Sequence, residues 1–300
     1  QAVRTQLIAG IANTYYTLLM LDEQLDLSRQ TETAWKETVA STRALMNAGL
    51  ANESAVSQME AAYYQVQSSV LDLQQQISQV ENSLALLLAE TPRSYERGML
   101  AKQQFPTDLS IGIPVRMLSS RPDVRSAERT LEAAFYGTNA ARSAFYPSIT
   151  LSGSAGWTNS AGSLILNPGK FLASAVGSLT QPLFNKGQVV AQYRIARAQQ
   201  EEAALGFQQT LLNAGSEVND ALIAYQTSQG KRLLLDKQIA SLQTALQSTS
   251  LLMEHGNTTY LEVLTSRQSL LSAQLSQTAN HFTEIQSLIN LYRALGGGQE

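Results

Sequence analysis

The sequence contains no cysteine, which rules out disulfides, thiolate metal sites and thiol nucleophiles. Aromatic residues are scarce at 7% and charged residues at 15%, although the hydrophobic fraction is an ordinary 44%. The apolar content therefore comes from Ala, Leu, Val and Ile, diluted by Gln and Ser. That balance suits long helices packed on one another and not a compact aromatic core. A basic excess is also missing: the net charge is -3 and the isoelectric point is near 5.6, which argues against a nucleic-acid partner. No apolar run reaches the ~18 residues of a membrane-spanning helix. The densest run, Leu84 to Ala89, is far shorter.

Catalytic constellations are absent as well. His255 and His281 are too far apart for a helical metal pair, and no HExxH spacing supports them. Residues Gly162 to Lys170 lack the glycine spacing of a phosphate loop, and Phe171 occupies its Ser/Thr position. Ser152-Gly153-Ser154-Ala155-Gly156 is not a nucleophile elbow. The expectation is a protein that is not an enzyme, holds no cofactor or metal, and depends on a partner for energy.

What the sequence does have is heptad spacing. Val56, Met59, Tyr63, Val66, Val70, Leu73, Ile77, Val80, Leu84 and Leu87 alternate steps of three and four. Leu235, Ile239, Leu242, Leu246, Thr249 and Met253 do the same, as do Leu264, Gln268, Leu271, Leu275, Thr278, Phe282, Ile285, Ile289 and Tyr292. A repeat near 3.5 residues lets a side-chain seam follow a neighbouring helix, which predicts coiled coils. Glycines break the runs at matching places: Leu45-Met46-Asn47-Ala48-Gly49 parallels Leu252-Met253-Glu254-His255-Gly256. This is an internal repeat of helical hairpins, imperfect because the second apolar stripe is shifted by one position. Each glycine can adopt the left-handed conformation that ends a helix. The helix expected from about Val189 to Met253 would be roughly 100 Å long at 1.5 Å per residue.

Between the hairpins the period changes. Pro92 to Pro114 reads as irregular. Arg121-Pro122-Asp123 opens a helix running to about Ala144, with proline suited to its first turn. From Pro147 the pattern alternates, with Ile149, Leu151, Gly153, Ala155 and Trp157 set against Thr150, Ser152, Ser154, Gly156 and Thr158. That suits a membrane β-barrel strand. A loop from Asn159 to Lys170 leads to a second, weaker strand candidate, Leu172 to Gln181. Gln1 falls inside a helical pattern, so the natural N-terminus, with any signal or lipid anchor, is expected upstream.

Several stretches together resemble the TolC-like outer-membrane efflux proteins, in the branch that serves RND pumps. They are Ile113-Pro114, Arg121-Pro122-Asp123-Val124-Arg125 with Ala127-Glu128, and Ala140 through Ile149 (AARSAFYPSI). They continue in Pro182-Leu183-Phe184-Asn185-Lys186-Gly187, Tyr260-Leu261-Glu262-Val263-Leu264 and the ending Ala294-Leu295-Gly296-Gly297-Gly298. The resemblance implies a mainly α fold with a β-hairpin. Long coiled-coil hairpins would form a periplasmic α-barrel, and strands would contribute to a trimeric 12-stranded outer-membrane β-barrel. Residues 1–91 would be the first periplasmic hairpin, with its tip near 47–53, and 92–120 an irregular equatorial segment. Residues 121–146 would be a helix, 147–184 the barrel strand pair with an extracellular loop, and 187–295 the second hairpin, with its tip near 254–260. The implied function is a passive exit duct, a lipoprotein in the branch, with a homotrimeric state. Its implied partners are a periplasmic adaptor (membrane fusion) protein, an inner-membrane RND transporter and outer-membrane lipid. An exit duct for secreted protein and a coiled-coil scaffold without a pore are the alternatives.

The resemblance also assigns sites. Ala48, Gly49 and Leu50 with His255, Gly256 and Asn257 align with the adaptor-docking tips; a helix cap alone would account for the same glycines. Glu262 falls where the family carries an acidic ring at the periplasmic entrance. The next acidic position of that ring is Thr265 here, and Arg267 is placed to pair with a neighbouring subunit. A solvated coiled-coil face is the plainer account of these charges. Trp157 would anchor at the membrane interface, against packing on soluble structure as the alternative. Arg121, Arg125, Glu128 and Arg129 read as an exposed ion-paired helix face.

Overall fold

The structure is a computed structural model that describes residues 2–103, 119–158, 170–181, 184–254 and 260–297, with only the backbone of 157–158, 170–172 and 254. The chain divides into two compact units, one made of residues 1–122 with 213–300 and the other of 123–212.

In the first unit, helix α1 (Ala2–Asn47) and helix α2 (Glu53–Leu88) form a close antiparallel hairpin. The α2 heptad is its seam: Val56, Met59, Val66, Val70, Ile77 and Leu84 are all buried. Leu18 and Leu21 of α1 pack with Ile77 and Leu84, and Trp35 packs with Met59, Ala62 and Val66. Asn52 starts α2 by accepting the Ala55 N–H at 2.9 Å, satisfying one of the orphan donors of a first turn. Helix α2 ends on Ala89, which holds φ 56° while its N–H bonds Leu86 O and the Glu90 N–H bonds Ala85 O. A left-handed alanine carries a steric cost that glycine avoids. Ala89→Gly is therefore expected to stabilise the protein by about 0.5–1 kcal/mol, read as a higher melting temperature in circular dichroism.

After α2 the chain crosses a short 3₁₀ turn, Leu100–Lys102. Leu100 is buried with Leu19 of α1 and Ile285 of the last helix. Just before this turn, Arg97 joins Asp22 of α1 and Glu81 of α2, with Nη1 2.6 Å from Glu81 Oε1 and Nη2 2.9 Å from Asp22 Oδ1.

The last two helices are α4 (Gln188–Glu254), whose residues from 213 onward belong to this unit, and α5 (Tyr260–Ala294). The sequence places the α5 seam on its heptad leucines, but the buried positions differ. Thr278 and Ile285 are buried; Leu264, Leu271, Leu275 and Ile289 are only half-buried, while Ala273, Asn280, Glu284, Ser287 and Leu291 are buried. The reason is two-sided packing. Helix α5 lies close against α1, with Leu264 and Leu271 against the Trp35 cluster, and meets α4 at wider spacing through side chains. Asn280 donates to the Ser228 carbonyl at 2.8 Å, and Arg232 reaches Glu284 at 3.5 Å. Satisfied polar groups of this kind fix helix register.

The C-terminal end of α5 is held by other segments. Arg121 Nη1 donates to Ala294 O at 3.0 Å, and Thr5 Oγ1 donates to Gly297 O at 2.9 Å. Arg121 also pairs with Glu217 Oε2 at 2.9 Å. This corrects the expected exposed face for Arg121. It is buried, because its guanidinium serves the orphan carbonyls of a helix end, while Arg125, Glu128 and Arg129 remain exposed. A Cβ at Gly297 would lie 2.4 Å from the Tyr292 ring, so a larger residue there requires that half-exposed ring to move.

The second unit holds helix α3 (Pro122–Ser143, of which Pro122 belongs to the first unit), strands β1 (Ser148–Thr158) and β2 (Lys170–Thr180), and the start of α4. The strands pair antiparallel from Ser148↔Thr180 to Thr158↔Lys170. The weaker strand candidate thus begins two residues earlier than its apolar pattern indicates and ends one earlier. In this register Ile149, Leu151, Gly153 and Ala155 face across to Leu179, Gly177, Ala175 and Ala173. The other side pairs Ser148 with Thr180, Thr150 with Ser178 and Ser154 with Ser174, the last pair 2.8 Å apart at their Oγ atoms. Thr138 ties α3 to α4 by donating to Ala196 O at 3.1 Å.

Candidate functional site: the first hairpin tip and the start of α5

The first tip is built by the chemistry that ends α1. Gly49 takes φ 76°, its N–H bonds Met46 O at 2.9 Å and the Leu50 N–H bonds Leu45 O at 2.9 Å. Two terminal carbonyls are thereby satisfied, and the chain reverses in five residues. Ala48, Gly49 and Leu50 are all exposed, Leu50 at 77%. Nothing lies within 4 Å of where a Gly49 Cβ would stand, so only the backbone conformation demands glycine. Tyr260, the first residue of α5, reaches Asn52 Oδ1 with its hydroxyl at 3.5 Å. His255, Gly256 and Asn257 lie outside the described residues.

Glu262 lies in the first turn of α5, where a carboxylate suits the positive end of the helix dipole, and its side chain is exposed. Thr265 is exposed one turn on and donates to Leu261 O at 2.8 Å. These two share one outward surface. Arg267 does not. It folds back over the ring of buried Trp35, 5.8 Å from the centroid. Burial pulls its pKa below the usual arginine value, opposed by the charge of Glu37. Its Nε is buried without a hydrogen-bond partner. Arg267 lines one groove between α4 and α5 and a second that α1 also walls, both beside Leu246 and Leu270. Trp157 pairs with Phe171 in the strand register.

Sequence reasoning missed two centres. The Arg97 cluster joins residues 75 positions apart, and no local spacing marks such a pair. Trp35 had a signal, being one of only two tryptophans and set in a helix of small and polar residues. Among the described residues no group of three His, Asp or Glu side chains forms a metal site, and no helix is long and apolar enough to cross a membrane.

The chain runs as two pairs of long helices separated by a strand pair with one apolar and one largely hydroxyl-bearing face. The chain belongs to the outer membrane efflux protein family, whose model matches residues 1–90 and 113–297. It is 29% identical to the cation efflux system protein CusC of Escherichia coli O6:H1 over 99% of its own length and 65% of that protein. It is 32% identical to the solvent efflux pump outer membrane protein SrpC of Pseudomonas putida, again over 99% of this chain and 64% of the relative. A crystal structure of CusC superposes with a TM-score of 0.91 at 28% identity, covering 99% of this chain and 70% of that one. The chain thus spans about 65% of the length of its first curated relative. Its fold class is that of these channels, helical hairpins of a periplasmic barrel joined to strands of an outer-membrane β-barrel. It is an outer-membrane protein with a large periplasmic helical part.

Proposed function

We propose that the protein is the outer-membrane exit duct of a tripartite efflux pump, exporting small molecules passively with energy from an inner-membrane transporter. The observation that carries this reading is the β1–β2 register. It sets an uncharged apolar row, with Ile149, Leu151 and Leu179 largely exposed, against an opposite face of mainly Ser and Thr that Val176, Leu172 and Lys170 interrupt. Lipid on one side and water on the other explains both rows. Three copies close the duct, an RND-type transporter supplies the energy, and a periplasmic adaptor docks at the hairpin tips. The relatives' names speak of cations and of solvents, cargoes without shared chemistry, which fits a duct that selects little by itself. Imaging of the detergent-solubilised full-length protein tests this directly. A long three-fold cylinder is expected, and a monomeric rod would overturn the reading.

Glu262 forms the periplasmic gate, with Thr265 beside it and Arg267 bracing the helix from behind against Trp35. Three carboxylates around a three-fold axis attract cations and repel one another. Glu262→Gln is expected to lower cation-over-anion selectivity several-fold in single-channel recordings. Voltage and cation responses equal to wild type would remove Glu262 from the gate.

A further inference from the structure

The gate uses Arg267 only as a brace, which leaves its charge without a task. Among the described residues Arg267 has no ion-pair partner, and its Nε is sealed from solvent without a hydrogen bond. Trp35 covers one face of the guanidinium at 5.8 Å, so the terminal nitrogens are the donors left for anything that binds. Burial has stripped water from this cation, and Glu37, exposed on α1, offsets only part of that loss. A half-buried cation draws an anion more strongly than a surface one, because less water competes and the local dielectric is lower.

The space beside it has a matching shape. A groove of about 1000 Å³ runs between α4 and α5, and a smaller hollow of about 170 Å³ is walled by α1 as well. Both share Leu246, Arg267 and Leu270, so the arginine stands where the two adjoin. The groove is open because α4 and α5 meet through side chains and not at close backbone distance. Its volume falls at the upper end of the ~300–1,000 Å³ range of small-molecule sites. Leu246, Leu251 and Leu270 give it an apolar wall, and the exposed amides of Gln243 and Gln247 give it a polar rim. Arg267 is the only charged residue lining either space. A metal ion finds no carboxylate on these walls, and an organic cation meets like charge.

We propose that the groove between α4 and α5 binds a small organic anion, a carboxylate or sulfonate on an apolar body. Its charged end lies at Arg267 and its body along Leu246, Leu251 and Leu270, while Trp35 holds the guanidinium from behind. The site stands on this packing alone, so it requires neither the duct reading nor a gate role for Glu262.

The test uses the full-length protein carrying fluorotryptophan in lipid nanodiscs, titrated with naphthalene sulfonate and with the neutral naphthalene sulfonamide. The fluorine resonance of Trp35, assigned by its loss in Trp35→Phe, reports the site. The sulfonate is expected to shift that resonance saturably and to bind about ten-fold more tightly than the sulfonamide, the worth of one hydrogen bond to a charged group. Arg267→Gln should abolish the preference. Gln247→Glu leaves Arg267 and Trp35 in place and sets a carboxylate on the rim, so it should weaken the sulfonate several-fold and spare the sulfonamide. Equal affinity for the two probes would overturn the site, as would a preference that survives both variants. No response to either probe, as when a neighbouring subunit or a docked helix already fills the groove, would overturn it too.

Discussion

Gly49→Glu is expected to abolish efflux while the trimer still forms. The local cost is modest: a non-glycine residue at φ 76° is strained by about 1–2 kcal/mol, and no neighbouring atom obstructs a side chain there. The hairpin below it, seamed by Val56, Met59, Val66 and Val70, has enough buried surface to absorb that strain. What changes is the outer surface of the tip, where a bulky anion replaces bare backbone beside exposed Ala48 and Leu50. Cells carrying the variant should be as sensitive to the duct's exported compounds as a deletion strain, and the proposed adaptor should no longer co-purify. Gly49→Asn is the control, since asparagine tolerates the left-handed conformation, and it should retain most activity. Unchanged efflux and unchanged co-purification in Gly49→Glu would dismiss the tip as a docking site.

The second large effect is on stability. Arg97→Ala leaves Asp22 and Glu81 facing each other across the end of the first hairpin without the cation that joins them. Removing one partner from this half-buried ion cluster costs about 1.5–3 kcal/mol, the range for hydrogen bonds to charged groups. The same cluster sets an acid limit. Burial raises the Glu81 pKa, but hydrogen bonds from Arg97 and Ser94 and the charge of Arg97 outweigh it, so the carboxyl stays below the ordinary glutamate range. A lowered folded-state pKa contributes stability that is present above the unfolded value and lost as pH falls through the folded one. Melting temperature should therefore drop on acidification below about pH 4, and Glu81→Gln should make that drop shallower. A wild-type melting curve for Arg97→Ala would refute the structural role of the cluster.

Much of this architecture was legible because it is local. The tip at Gly49 follows from one glycine after a heptad run, and the α2 seam follows from the same run because α2 packs mainly against a single neighbour. Helix α5 obeys the same periodicity yet buries a different set, since contacts with α1 on one side and α4 on another spread burial over Ala273, Asn280 and Ser287. Heptad counting presumes one partner and fails where there are two. Arg121 misled for a related reason. Just before α3 it continues the spacing of a charged stripe, but its partners are Glu217 and a carbonyl 173 residues away. For the candidate sites, only the family resemblance marks Glu262 and Thr265. The turn of Arg267 toward Trp35 comes from packing alone.

The bond between Thr5 and Gly297 spans 292 residues, and the neighbouring contacts of Leu19 with Ile285 are nearly as remote. Helix α1 can pair with α2 as soon as both have emerged, but its other flank waits for the last helix of the chain. Closing so large a loop is entropically slow. Helix α1 is thus completed only when α5 arrives, and until then one flank of the hairpin stays open to water and to stray association.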